Sequence, residues 1–199
     1  MFFLKENGTG GKNTNLYGLK FEKDTDLAYR IQRDLRNKYK LKEHTPHTNS
    51  KYSVYDVIRL KDDKTIGILA KKKTFYQITK ELYKLDNINQ KNWEPDEAFF
   101  NLENDTVYIV EKKWQKGNGS VDEKAFGFIN KRKLYQNIFN QLEKEPKVTV
   151  QFCALFNKSW WIQGKNGKNE KIYTDLFDSL RLDGIKIFFD NYDYWWFGL

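Results

Sequence analysis

Asp96, Glu111 and Lys113 are the residues of this chain whose types and spacing could do chemistry together. Asp96 follows Pro95, and Glu111 and Lys113 close the apolar run Thr106-Val107-Tyr108-Ile109-Val110. Alternate side chains of a strand share a face, so Glu111, Lys113 and Gln115 project together. The apolar stretches on either side of Glu103-Asn104-Asp105 read as a hairpin. A turn through Glu103 and Asn104 sets Asp96 directly opposite Glu111, and a turn through Asn104 and Asp105 sets it opposite Lys113. The three side chains converge in either register. Two carboxylates and an ammonium gathered in this way suit phosphodiester hydrolysis, because a hard divalent cation takes oxygen ligands and bridges protein to phosphate. Asp96 and Glu111 are expected to hold Mg²⁺, which activates water and offsets charge developing at phosphorus, while Lys113 orients the water or the phosphate. The plainer alternative is a row of cross-strand ion pairs of small energy on an exposed strand. Val107, Ile109 and the apolar Ala98 to Phe100 favour the catalytic reading, since they make Glu111 the end of a core-like strand.

The elements that must position these residues follow from periodicity. Gly8 to Asn15 reads as a loop that lacks the Lys-Ser/Thr ending of a phosphate-binding loop. From Leu16 to Tyr39 apolar residues recur at helical spacing, with a break near Asp24. His44, Pro46 and His47 fall in a polar surface loop, with too few further ligands for zinc. Ser53 to Leu60 and Thr65 to Ala70 form a hairpin around Lys61-Asp62-Asp63-Lys64, and Lys71-Lys72-Lys73 leads into a helix from Thr74 to Leu85. Ser120 and Glu123 have capping-box spacing at the head of a helix running to about Lys144. A strand follows from Lys147 to Phe156, continued or partnered by Trp160, Trp161 and Ile162. A short helix near Tyr173 to Leu180 and an aromatic tail complete the chain.

The bulk properties bound the class. A chain of 199 residues suits a single domain, and its formal net charge of +8 favours a polyanionic partner. Cys153, alone of its type, makes no intramolecular disulfide and points to a reducing compartment. The opening Met1-Phe2-Phe3-Leu4 is shorter than a signal-peptide core of roughly 7 to 15 apolar residues, and nothing approaches the roughly 20 of a membrane span. The expectation is a cytoplasmic protein with no membrane partner.

Pro95-Asp96, Glu111-x-Lys113 and the helix opening Gly119-Ser120-Val121-Asp122-Glu123-Lys124 resemble the PD-(D/E)XK nuclease superfamily, and within it type II restriction endonucleases. Gly18-Leu19-Lys20-Phe21-Glu22 is similar to the G-x-x-F/L-E element on the first core helix of these enzymes. The resemblance implies an α/β, restriction-endonuclease-like core with a central mixed β-sheet flanked by helices. That α-β-β-β-α-β core covers roughly residues 16 to 156 of a single nuclease domain spanning 1–199, with a hairpin-helix insertion at about 44–92 and an aromatic C-terminal extension. It also implies that Glu22 joins the catalytic and metal-binding set by ordering water, and that the helix opened by Ser120, Asp122, Glu123 and Lys124 approaches DNA. Gln115 is a candidate for contact with phosphate or water. Lys131 and Arg132 on the same helix, and the Lys71 to Lys73 run, are candidates for phosphate neutralisation. Trp93, Trp114, Trp160 and Trp161 could stack on bases, whereas Trp195 and Trp196 suit a core or an interface.

The leading expectation is a sequence-specific, Mg²⁺-dependent endonuclease for double-stranded DNA, working as a homodimer whose two-fold symmetry matches a palindromic target. A repair, recombination or mobile-element nuclease keeps the chemistry and changes the substrate. A non-catalytic, basic nucleic-acid-binding domain keeps neither, and leaves Asp96, Glu111 and Lys113 as ordinary charges.

Overall fold

The computed structural model describes residues 10–45, 51–117, 121–143, 145 and 147–199, without the side chains of 10–15 and 121. Two helices come first, α1 (Gly10–Asp24) and α2 (Leu27–Asp34). They part where the Thr25 hydroxyl donates back to Phe21 O at 2.5 Å and Asp26 caps α2 by accepting from the Tyr29 N–H, which satisfies a first-turn donor that has no partner inside the helix. A meander follows, of β1 (Tyr39–Glu43), β2 (Tyr55–Arg59), β3 (Lys64–Ala70), β4 (Glu97–Asn101) and β5 (Thr106–Lys113), with α3 (Thr74–Tyr83) between β3 and β4. Helices α4 (Val121–Ala125) and α5 (Phe128–Phe139) cross over to β6 (Thr149–Phe156). From there α6 (Lys158–Trp161), α7 (Asn169–Ile172) and α8 (Thr174–Leu182) lead to β7 (Ile185–Phe189), and a 3₁₀ turn spans Tyr194–Phe197.

Among the described residues the strands form one seven-stranded sheet in chain order from β1 to β7. Pairing is antiparallel through β5 and parallel from β5 to β7; tight turns join β2 to β3 and β4 to β5, whereas the parallel neighbours are reached by helical crossovers. The protein is therefore α/β, with a mixed sheet flanked by helices. On one face Ala98, Phe100, Val107, Ile109 and Phe152 pack with Phe75 and Ile78 of α3, Tyr135 and Phe139 of α5, and Leu180 of α8. On the other, Phe99, Tyr108, Val110 and Leu155 pack with Leu27 and Ile31 of α2 and with Tyr192 and Phe197 of the tail. No helix among the described residues is long and apolar enough to cross a membrane.

The structure corrects several expectations. The chain is helical from Gly10, not looped to Asn15; the Tyr17 ring stacks on Trp114 with centroids 5.3 Å apart, a tertiary contact that supports what local propensity does not. The first helical region ends at Asp34, and β1 takes Tyr39 to Glu43 into the sheet edge. The expected helix from Ser120 to Lys144 is two helices interrupted at Phe126-Gly127, glycine being about 1 kcal/mol poorer than alanine inside a helix; Ser120 and Lys144 lie outside the described residues. Trp160 and Trp161 belong to helix α6 rather than to a strand, because Trp161 folds back onto Phe156, Tyr173 and Phe177. Between 51 and 92 the expected hairpin and helix are present as β2, β3 and α3, and β3 pairs directly with β4. His44 is buried, not in a surface loop, with Nδ1 2.6 Å from Asp56 Oδ1 and Nε2 3.0 Å from Glu81 Oε1; Pro46 and His47 lie outside the described residues.

Candidate active site

The β4–β5 ladder pairs Glu97 with Val110, so its continuation by one pair sets Asp96 opposite Glu111, the first of the two registers the hairpin allows. Asp96 occupies the bend just before β4, where the Lys112 N–H donates to Oδ2 at 2.7 Å. Val107 and Ile109 point into the core beneath α3 and α5, and Glu111 follows on the same face. Lys113 Nζ lies 3.1 Å from Glu111 Oε2 and 3.9 Å from Asp96 Oδ2, so one ammonium reaches both carboxylates.

Two further lysines enter from outside the hairpin. Lys131 of α5 reaches Glu111 Oε1 at 2.8 Å, so the side chain expected on DNA is directed into the carboxylate site. Lys72, in the connection between β3 and α3, donates to Asp96 Oδ1 and lies 4.0 Å from Glu22 Oε2. In the sequence it is one of three consecutive lysines, with no spacing to single it out. Burial alone would raise the Asp96 carboxyl, but Lys113 and Lys72 outweigh it and hold the group below its ordinary value. At Glu22 burial prevails, aided by the negative charge of Asp96, and the carboxyl is raised.

Glu22 reaches this cluster because α1 ends over Lys112. Lys112 Nζ donates to Glu22 O at 3.1 Å and to Thr25 O at 2.9 Å, and pairs with Glu97 Oε2 at 3.0 Å. Glu97 in turn accepts from the Leu27 N–H at the start of α2. Lys112 and Glu97 face the layer opposite Glu111, one residue out of phase with the motif positions. The only hint of this pair in the sequence is a charge on the wrong side of the alternation.

The remaining candidates are dispersed. Gln115 is buried; its N–H donates to Asn157 Oδ1 and its Nε2 to Gly117 O, both at 2.7 Å, while Oε1 has no partner among the described residues. Arg132 is turned away, onto Asp183 O at 2.7 Å and Val150 O at 3.4 Å. Asp122, Glu123 and Lys124 lie on the short α4, with Glu123 and Lys124 exposed. Trp161 is core, Trp195 is exposed, and Trp196 packs edge-on against Tyr108.

Among the described residues no three His, Cys, Asp or Glu side chains form a group ready to hold a metal ion; Glu22, Asp96 and Glu111 are interleaved with Lys72, Lys113 and Lys131. The donor chemistry nevertheless fits a hard divalent cation, being all carboxylate oxygen, and a cation already stands within reach of both Asp96 and Glu111 as the Lys113 ammonium. No protein-family model, no curated protein and no solved structure matches the chain.

Proposed function

We propose that this protein is a Mg²⁺-dependent DNA endonuclease of the PD-(D/E)XK type, a homodimeric, sequence-specific cutter of double-stranded DNA of the restriction class with a restriction-endonuclease-like core. The observation that carries the reading is the convergence of Asp96, Glu111 and Lys113, with the Glu111 side chain only 2% exposed. Surface ion pairs cost little and gain little, whereas a buried carboxylate costs several kcal/mol in desolvation. Such an arrangement is the mark of a working site more than of a solvated strand.

Asp96 and Glu111 would hold the cation, with Glu22 beside them. Bound Mg²⁺ supplies Lewis acidity and offsets the negative charge gathering on the phosphate. Lys113 orients the attacking water or a phosphate oxygen, and Glu22 accepts a hydrogen bond from that water. Attack runs in line with the departing 3′-oxygen. Beside Asp96 lies a cavity of about 250 Å³ lined by Glu22, Lys72, Asp96 and Lys112, which adjoins a groove of about 890 Å³ and shares Lys23, Asp26, Tyr52 and Lys71 with it.

That groove favours a second reading. Tyr29, Tyr52 and Tyr55 line it with Lys23, Arg30, Arg33 and Lys51, and aromatic rings among cations suit unpaired bases on a charged backbone. A repair or mobile-element nuclease acting on branched or single-stranded DNA would use it so. Incubation of unmethylated plasmid and phage DNA with protein and Mg²⁺, beside EDTA and Glu111→Ala controls, decides. Discrete fragments support the restriction reading, and nicks selective for structure support the second. Absence of metal-dependent cleavage on duplex, branched and single-stranded DNA alike overturns both.

A further inference from the structure

We infer that Lys72 is a second working cation of this site: it neutralises Asp96 in the metal-free protein, yields that carboxylate to the divalent cation, and then pairs with a phosphate of the bound strand. The inference rests on the nuclease reading above and deepens it.

The backbone supplies the first argument. Lys72 has φ 50°, a left-handed conformation that glycine or asparagine adopts more readily. Residues held in such conformations are strained and gather at ligand clamps and switches. Here the Lys72 N–H donates to Pro95 O at 3.0 Å, so the strained residue is bonded to the one immediately before Asp96.

The side chains supply the second. Both Asp96 oxygens are engaged, Oδ1 by Lys72 and Oδ2 by the Lys112 N–H. A metal ion that takes Asp96 as a ligand must compete with an ammonium. Lys113 is poorly placed to leave, since its Nζ also bonds Glu111 Oε2 at 3.1 Å and Lys112 O at 3.0 Å and sits 5.3 Å from the Phe128 ring centroid. Among the described residues Lys72 Nζ has Asp96 as its hydrogen-bond acceptor and Glu22 as a more distant ion pair. Its side chain is 25% exposed and lines the cavity beside Glu22 and Asp96. A flexible four-carbon stem at that mouth can turn its ammonium from the carboxylate to an incoming phosphate.

The test measures Mg²⁺ binding calorimetrically without DNA, then steady-state cleavage at saturating Mg²⁺. Lys72→Met removes the competitor, and the expected result is a Kd for Mg²⁺ at least threefold lower together with a raised KM for DNA and a smaller change in kcat. Lys80→Met, which removes an exposed charge on α3, leaves both quantities unchanged. Lys72→Gln is measured beside the Met variant, so the comparison survives if one of them fails to fold. Unchanged or weaker Mg²⁺ binding in the Lys72 variants, or an unchanged KM, overturns the inference. If the wild-type protein cleaves DNA with Mg²⁺ and only the Lys72 comparison disappoints, the inference falls and the nuclease reading stands; if no metal-dependent cleavage is seen, both fall.

Discussion

Lys112 Nζ and Glu97 Oε2 lie 3.0 Å apart with both side chains almost fully withdrawn from solvent, at 2% and 5% exposure. The pair joins the sheet to two helix ends of opposite polarity. Carbonyls at the end of α1 accept from the ammonium, and an N–H at the start of α2 donates to the carboxylate, each charge meeting the favourable end of a helix dipole. Glu22 owes its place beside Asp96 to this joint.

Lys112→Met should therefore destabilise the fold by about 3–5 kcal/mol, the usual result of removing one partner of a buried ion pair, because the cation left beside Glu97, Lys71, stands farther off at 3.7 Å. Adding Glu97→Gln should recover part of the loss and give a clear coupling in a double-mutant cycle. Urea unfolding checks both, and a midpoint indifferent to Lys112→Met would remove the joint from the account.

Lys113→Met tests the catalytic assignment without disturbing the layer that holds Lys112. The cleavage rate should fall by about 10²–10³, the range for loss of one charge-stabilising donor, with DNA affinity changed far less. Single-turnover kinetics and equilibrium binding separate the two. Equal losses in rate and affinity would make Lys113 a binding residue only.

His44 should give stability a pH dependence. Burial alone would lower its pKa, but the flanking Asp56 and Glu81 carboxylates outweigh burial and raise it. A cation favoured in the folded state contributes fully below the unfolded value of roughly 6.5 and loses its contribution as pH rises through the higher folded value. The urea midpoint should thus fall with rising pH above neutrality in the wild-type protein, and this component should vanish in His44→Gln. A matching slope in the variant would assign the effect elsewhere.

Lys23 and Lys51 line the large groove beside the site. If DNA lies there, Lys23→Met and Lys51→Met should each reduce the slope of log K against log salt by about 1. Filter-binding titrations across salt concentrations read this directly, and unchanged slopes would place the strand on another surface.

Local pattern made much of the architecture legible. Alternation in Thr106 to Lys113, the turn residues Glu103 to Asp105 and the apolar run before Phe156 are all near-neighbour signals, and the strands they imply are present. Strand β1 and helix α6 were not legible, because a charged edge strand, Tyr39 to Glu43, and two adjacent tryptophans acquire their conformations from what they pack against. Gln115 and Arg132 carried the right chemistry for a site, yet their partners turn them to Asn157 and Gly117, and to Val150 and Asp183.

Glu111 and Lys113 share a face by strand geometry alone, and a hairpin of either register brings Asp96 to them; this much lay within one stretch of chain. Which register was adopted was decided at the turn between Asn101 and Thr106, whereas the burial of Glu111 depended on α5 and β6 closing over β5. Lys72, Lys131 and Glu22 come from the β3–α3 connection, α5 and α1, and only the assembled sheet brings them to the same few ångströms. Periodicity acts between near neighbours, whereas the electrostatics of this site arises from charges that the tertiary structure alone gathers away from water.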